Sequence, residues 1–226
     1  MSTMSTTRTG ERPREMARPT AYRRHVLAQL QHVLRSIPPV DRALDFGAGD
    51  GWFAGEIARL GIARMIVSAD VMVWPGLLNK PVMFDGQRLP FADRTFGLTY
   101  AVDVLHHCPD PERALAEVLR CTDAYFLIKD HSYRNTLEWS ALCVLDELGN
   151  RRFGVPSPHC YQKRWTWDDH LTSQGFTLQT LVHPAPCHTG VLGYLTNSLQ
   201  YVALWRRTAT IDAASSRAAH EQGRRG

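Results

Sequence analysis

Apolar residues recur along the chain in two alternating patterns. Val26, Leu27, Leu30, Val33 and Leu34 fall at helical spacing within 21–35, and Pro38-Pro39 stops that helix. Short apolar runs then predict strands over 43–46, 65–69, 82–84, 96–101 and 125–128. Helical stretches separate most of them, notably 52–60 and 111–120. Repeated strand–helix units of this kind predict an α/β fold, a mostly parallel sheet with helices on both faces.

After Ile128 the rhythm changes. Asn135 and Glu138 have the spacing of a capping box and predict a helix through Leu148, closed by Gly149-Asn150. Thr166 and Asp169 have the same spacing before a helix that ends near Gly175. Strands over 177–182 and 199–205 complete the pattern. The segment 151–164, with Pro156, Pro158, His159 and Tyr161, reads as a long functional loop.

The first strand ends in Leu44-Asp45-Phe46-Gly47-Ala48-Gly49-Asp50-Gly51. Glycine at every second position leaves one face of a turn bare, so a ligand can lie against the backbone. The helix from Trp52 is expected to point its free N–H groups back into that turn. A dinucleotide fingerprint needs a third glycine where Trp52 stands, which disfavours a nicotinamide or flavin site. No Gly-Lys-Ser/Thr follows, so the turn is not a P-loop. Asp70, at the end of the next strand, is suited to both hydroxyls of a ribose. Asp85, after the third strand, could accept a hydrogen bond from an adenine amino group.

With these pieces in order, the chain resembles the class I S-adenosylmethionine (SAM)-dependent methyltransferases, most closely the small-molecule branch that includes quinone-biosynthesis enzymes. The resemblance rests on the glycine turn, Asp70, Asp85 with Leu89-Pro90-Phe91, Asp103-Val104-Leu105-His106-His107 and the helix-opening Asp110-Pro111. It covers residues 42–130. It implies a Rossmann-like sheet of seven strands, the last antiparallel, with 177–182 and 199–205 as the sixth and seventh. It also implies that Gly47, Gly49 and Gly51, carried over with Asp45, lie along the amino-acid part of SAM. Asp70 would hold the ribose and Asp85 the adenine amino group, with Val71 and Gly86 lining the adenine slot and Asp103 near the methionine end. Two departures concern turns: Gly97 stands where the family usually has an acid, and Cys121-Thr122-Asp123 replaces its usual Lys-Pro-Gly-Gly.

Transfer of a methyl group from sulfonium needs an in-line nucleophile, and a hydroxyl acceptor needs a base. His106-His107 and Asp130-His131 follow the fourth and fifth strands, where an acceptor would sit. His131 and His107 are the candidate bases, although the His106-His107 pair could equally hydrogen-bond within its loop with no proton to move. His159 and Tyr161 could line the acceptor pocket, with Trp139, Trp165 and Trp167 as apolar walls or as core. No His-x-x-x-His pair sits on a clear helix and no carboxylate cluster has ligand spacing, so no metal site is expected.

At 226 residues the chain is one domain by size, expected over 20–208 between disordered tails at 1–19 and 209–226. Its net charge of +4 belongs to the ends: residues 1–24 carry +4, residues 206–226 carry +3, and positions 25–205 carry −3. An acidic body is a poor footprint for nucleic acid. The five cysteines form no C-x-x-C pair and no apolar run is long enough to span a membrane, so a cytoplasmic protein is expected. The expected function is SAM-dependent methylation of a small organic acceptor, on oxygen. A SAM-binding protein without turnover and a nucleic-acid methyltransferase with basic arms are the alternatives.

Overall fold

The computed structural model describes residues 19–74, 76–150 and 157–208. The predicted tails and the start of the 151–164 loop lie outside these residues. In chain order the elements are α1 (Ala21–Leu34), β1 (Val40–Phe46), α2 (Trp52–Arg59), β2 (Ala63–Asp70), β3 (Val82–Met83), β4 (Phe96–Val102), α3 (Pro111–Cys121), β5 (Thr122–Tyr133), α4 (Thr136–Asn150), β6 (Gln162–Lys163), α5 (Thr166–Ser173), β7 (Phe176–Val182), α6 (Gly190–Thr196) and β8 (Gln200–Arg207). The sheet runs β3-β2-β1-β4-β5-β8-β7, with β6 paired to the end of β5. Strands β1 to β5 are parallel, and β8 is antiparallel to both β5 and β7. The seven expected strands are therefore present with an eighth, β6, inside the stretch read as a loop.

Alternation along the strands supplies two cores. Leu44, Phe126 and Ile128 face α3 and α5, where Leu115, Val118, Trp167 and Leu171 bury against them. Ala43, Leu98 and Leu127 face the other way, onto Val26, Leu30 and Leu34 of α1 and Ile57 of α2. Both faces of the parallel strands are thus covered, which is why they read as continuous apolar runs.

Three expectations need correction. The fifth strand extends to Tyr133, so Lys129, Asp130 and His131 lie within it and not after it. Its second half pairs with β8 and β6, and its polar residues hide that pairing from a hydrophobic pattern. Thr166 and Asp169 do not form a capping box: α5 is preceded by Trp165 in the left-handed region, and Gln162 Oε1 accepts the Trp167 N–H at 2.9 Å instead. Helix α6 was not foreseen. At α4 the box is half formed: Asn135 accepts the Glu138 N–H at 3.0 Å, but Glu138 reaches back to the Arg134 N–H, one residue earlier than the motif requires.

Both departures from the family pattern have packing reasons. A Cβ on Gly97 would stand 3.0 Å from Val40 Cβ, so an acid there would require Val40 to shift by a few tenths of an ångström. Helix α3 runs directly into β5, and Arg207 caps the junction by donating to the carbonyls of Leu119 at 2.6 Å and Thr122 at 2.8 Å.

Candidate active site

The glycine turn lies at the C-terminal ends of β1 and β2. Gly47, Gly49 and Gly51 all have positive φ, at 70°, 59° and 81°. At Gly47 a side chain is also excluded by contact, since its Cβ would stand 2.4 Å from Val104. Asp50 ties the turn to its surroundings: it accepts from Arg23 of α1 at 2.7 Å and from the Trp52 N–H at 3.1 Å.

Four N–H groups of the turn are already bonded within the protein. Gly47 and Ala48 donate to the carbonyl of Ala69, at 2.9 and 3.2 Å, and Gly51 donates to that of Ala48 at 2.9 Å. Gly49 donates to Asp70 Oδ2 at 2.8 Å. Three of these donors hold the turn to the end of β2, and that of Gly51 closes the turn on itself. Beside them the turn offers a ligand acceptor chemistry.

Two carboxylates supply it. Asp70 receives Gly49 on one oxygen and Met72 N–H on the other, at 3.0 Å, leaving lone pairs on both for further donors. Asp45 is buried on β1, and the hydroxyl of Tyr100, its register neighbour on β4, is its side-chain partner. Burial, with the charge of Asp70 adding to it, pushes the Asp45 carboxyl up to about 8. Buried carboxyl groups beside a bare turn fit a ligand bearing ammonium or hydroxyl donors.

Of the residues expected on the adenine side, Val71 and Gly86 come together. Val71 Cγ1 lies 3.5 Å from where a Gly86 Cβ would stand. Asp85 is exposed, and its Oδ1 accepts the N–H groups of Gln87 and Arg88 at 2.8 and 2.9 Å. Those two contacts hold its carboxyl below the usual range. Asp103, expected near the methionine end, is tied into the fold. Its Oδ1 accepts from the buried Lys129 Nζ at 2.5 Å and its Oδ2 from the Tyr22 hydroxyl at 2.8 Å. Burial opposes ionisation there, but the Lys129 charge overrides it and holds the carboxyl low.

Across the end of β5, Asp130 organises the histidines. It is fully buried and accepts the N–H groups of Leu105 at 3.1 Å and His131 at 2.8 Å. Its Oδ1 lies 2.5 Å from His106 Nδ1 and 3.4 Å from His131 Nδ1. Burial alone would push His106 down; the Asp130 carboxylate overrides it and raises the imidazole to about 10. His131 moves the other way, lowered by burial and by the Lys129 charge. With Asp130 facing Nδ1, the neutral tautomer of His131 that fits carries its proton there and leaves Nε2 as an acceptor.

His107 lies beside Asp146 of α4, Nε2 to Oδ1 at 3.7 Å, with His106 Nε2 at 3.8 Å from the same oxygen. Two sets of side chains bring ligand atoms within 4.8 Å of one another: His106, His107 and Asp146, and His106, Asp130 and His131. His159 and Tyr161 approach the same cluster, the Tyr161 ring stacked on His106 at 5.2 Å. Trp167 is core and Trp165, partly buried, packs against that core; Trp139 lines a cleft of about 440 Å³ with Tyr133, Arg134, Lys163 and Arg164.

Lys129, Tyr22 and Asp146 escaped the sequence reading. Only Lys129 left a signal, as a lysine closing the apolar run Phe126-Leu127-Ile128.

Residues 44–124 match the family model of the methyltransferase domain. An uncharacterized methyltransferase of Mycobacterium leprae is 36% identical over 93 residues, 38% of this chain and 35% of the relative. Cycloartenol-C-24-methyltransferase 1 of Oryza sativa subsp. japonica is 29% identical over 139 residues, 53% of this chain and 40% of the relative. The matched segments thus span well under half of these relatives' own length. Among solved structures, an S-adenosylmethionine-dependent methyltransferase of Mesorhizobium loti superposes with a TM-score of 0.57 at 18% identity, covering 78% of this chain and 96% of that one. The fold is that of the Rossmann-like methyltransferases. The family match supports S-adenosyl-L-methionine as the cofactor, and the carboxyl groups of Asp45 and Asp70 beside the bare glycine turn fit it. No helix among the described residues is long and apolar enough to cross a membrane.

Proposed function

We propose that this chain methylates a hydroxyl group of a small organic acceptor, using SAM held at the glycine turn. The observation that carries the proposal is the position of two sites at one edge of the sheet. The acceptor-rich turn of Asp45, Gly47, Gly49, Gly51 and Asp70 closes β1 and β2, and His131 stands at the end of β5, its Nδ1 directed to Asp130. Bound SAM supplies a methyl group already activated on sulfonium. Asp70 binds the ribose, Val71 and Gly86 flank the adenine, and Asp85 receives its amino group. Asp45 answers the donor groups of the amino-acid part.

His131 Nε2 takes the proton of the acceptor hydroxyl. Asp130 fixes the ring and stabilises the imidazolium that results, as a carboxylate behind a general base does. His107 sits farther from this line, against Asp146, and serves as a lining residue. The rice relative named for methylation at carbon favours a second reading, a carbon acceptor, for which no strong base is needed.

The test is transfer of labelled methyl from SAM to a panel of hydroxylated and unsaturated acceptors, with His131→Gln alongside the unaltered protein. Hydroxyl methylation with kcat lowered about 10²–10⁴-fold in His131→Gln supports the base. Turnover that survives the change rules it out, and a carbon-methylated product selects the second reading.

A further inference from the structure

The His106–His107–Asp146 cluster is not consumed by the methyl-transfer reading. Its geometry differs from that of an ordinary histidine–carboxylate contact. Both imidazole Nε2 atoms approach one oxygen of Asp146, at 3.8 and 3.7 Å. These separations are too long for hydrogen bonds, whose heavy atoms lie about 2.7–3.2 Å apart. They are close to another length. Zinc–nitrogen and zinc–oxygen bonds of about 2.0–2.2 Å make the edge of a tetrahedron about 3.3–3.6 Å.

The second group of three, His106, Asp130 and His131, does not have this character. Asp130 Oδ1 is only 2.5 Å from His106 Nδ1, a hydrogen-bond distance, and the carboxylate already receives two backbone N–H groups. Asp130 therefore belongs behind His106. A carboxylate on Nδ1 with Nε2 turned toward other donors is the arrangement that orients metal-bound histidines. The 3₁₀ turn Leu105–His107 sets the two rings side by side, 4.0 Å between centroids, and α4 brings Asp146 across. His106 is buried, while His107 remains 18% exposed and gives an ion a way in.

We propose that His106, His107 and Asp146 bind one divalent transition-metal ion of the zinc class, with Asp130 as the partner that orients His106. Two neutral imidazoles and one carboxylate suit zinc and its first-row neighbours better than magnesium or calcium, which prefer oxygen. Three protein ligands leave a coordination position open for water or an oxygen ligand. Entry of the ion displaces the proton on His106 Nε2 and draws α4 toward the β4–α3 turn by a few tenths of an ångström per contact. The site shares Asp130 with the methyl-transfer reading, and metal binding is tested without turnover.

The experiment is titration of chelator-stripped full-length protein with zinc and with cobalt(II), read by calorimetry, metal analysis and visible absorption. One equivalent is expected to bind. The cobalt form should show ligand-field bands without a thiolate-to-metal charge-transfer band, which separates this site from the five free cysteines. His107→Ala and Asp146→Asn should each weaken binding more than Asp130→Asn, for which a loss of about 10–100-fold is expected. Cys160→Ser should bind as the unaltered protein does. Absence of a stoichiometric ion, a thiolate signature, or unchanged affinity in folded His107→Ala would each overturn the proposal. Because His107 is partly exposed, that variant remains informative if Asp146→Asn does not fold.

Discussion

Lys129 Nζ lies 2.5 Å from Asp103 Oδ1, a fully buried ammonium held against a carboxylate that reaches the edge of the site. Gln200 of β8 accepts a second bond from the same nitrogen at 2.6 Å, and Tyr22 of α1 joins both Lys129 and Asp103. Four separate segments of the chain therefore meet on one ion pair. Burying two charges is costly, but breaking such a pair costs more than never having it. Asp103→Asn keeps a side chain that tolerates the left-handed backbone at φ 57°, so it reads the charge. It is expected to destabilise the fold by about 3–5 kcal/mol in urea unfolding. The double change Asp103→Asn with Lys129→Met should recover much of that loss. Additive losses would show that the two charges act separately.

Asp45 gives the fold a pH dependence of defined sign. Its carboxyl is raised from 3.8 in the unfolded chain to about 8 in the folded one. Between those values the folded protein holds a proton that the unfolded chain has lost, so this residue's contribution to stability falls as pH rises from about 4 to about 8, and levels off above. Unfolding free energies measured across that range should show the decline, and Asp45→Asn should flatten it. An unchanged slope in Asp45→Asn would assign the effect elsewhere.

Asp70 is expected to matter to the ligand and to the turn at once, because its oxygens already hold Gly49 and Met72. Charged hydrogen bonds of the kind it offers a ribose contribute about 1.5–3 kcal/mol. Asp70→Ala should therefore weaken S-adenosylhomocysteine binding by at least about 10-fold. Equal affinity in the two proteins would remove Asp70 from the site.

The positions of the parallel strands were legible because β1 to β5 are buried between helices, which writes short apolar runs into the chain. The second half of β5 was not, because Lys129, Asp130, His131 and Ser132 are polar residues hidden by partners on β8, α1 and the 3₁₀ turn. Pairing across the sheet, and not periodicity, makes them strand. The glycine turn does lie at the strand ends, and three of its N–H groups, those of Gly47, Ala48 and Gly49, are bonded to the end of β2. Spacing reports where side chains are missing but not which way donors point. Asp146 stands 40 residues from His106, on a helix whose apolar pattern carries no sign of the histidines it meets.

The central claim is that the turn at 47–51, with Asp45 and Asp70, holds SAM. Calorimetric titration of the full chain with S-adenosylhomocysteine tests it most directly. One saturable site with a Kd tighter than about 1 mM is predicted, weakened in Asp70→Ala and unchanged in His131→Gln. No saturable heat at ligand concentrations up to about 5 mM would contradict the account.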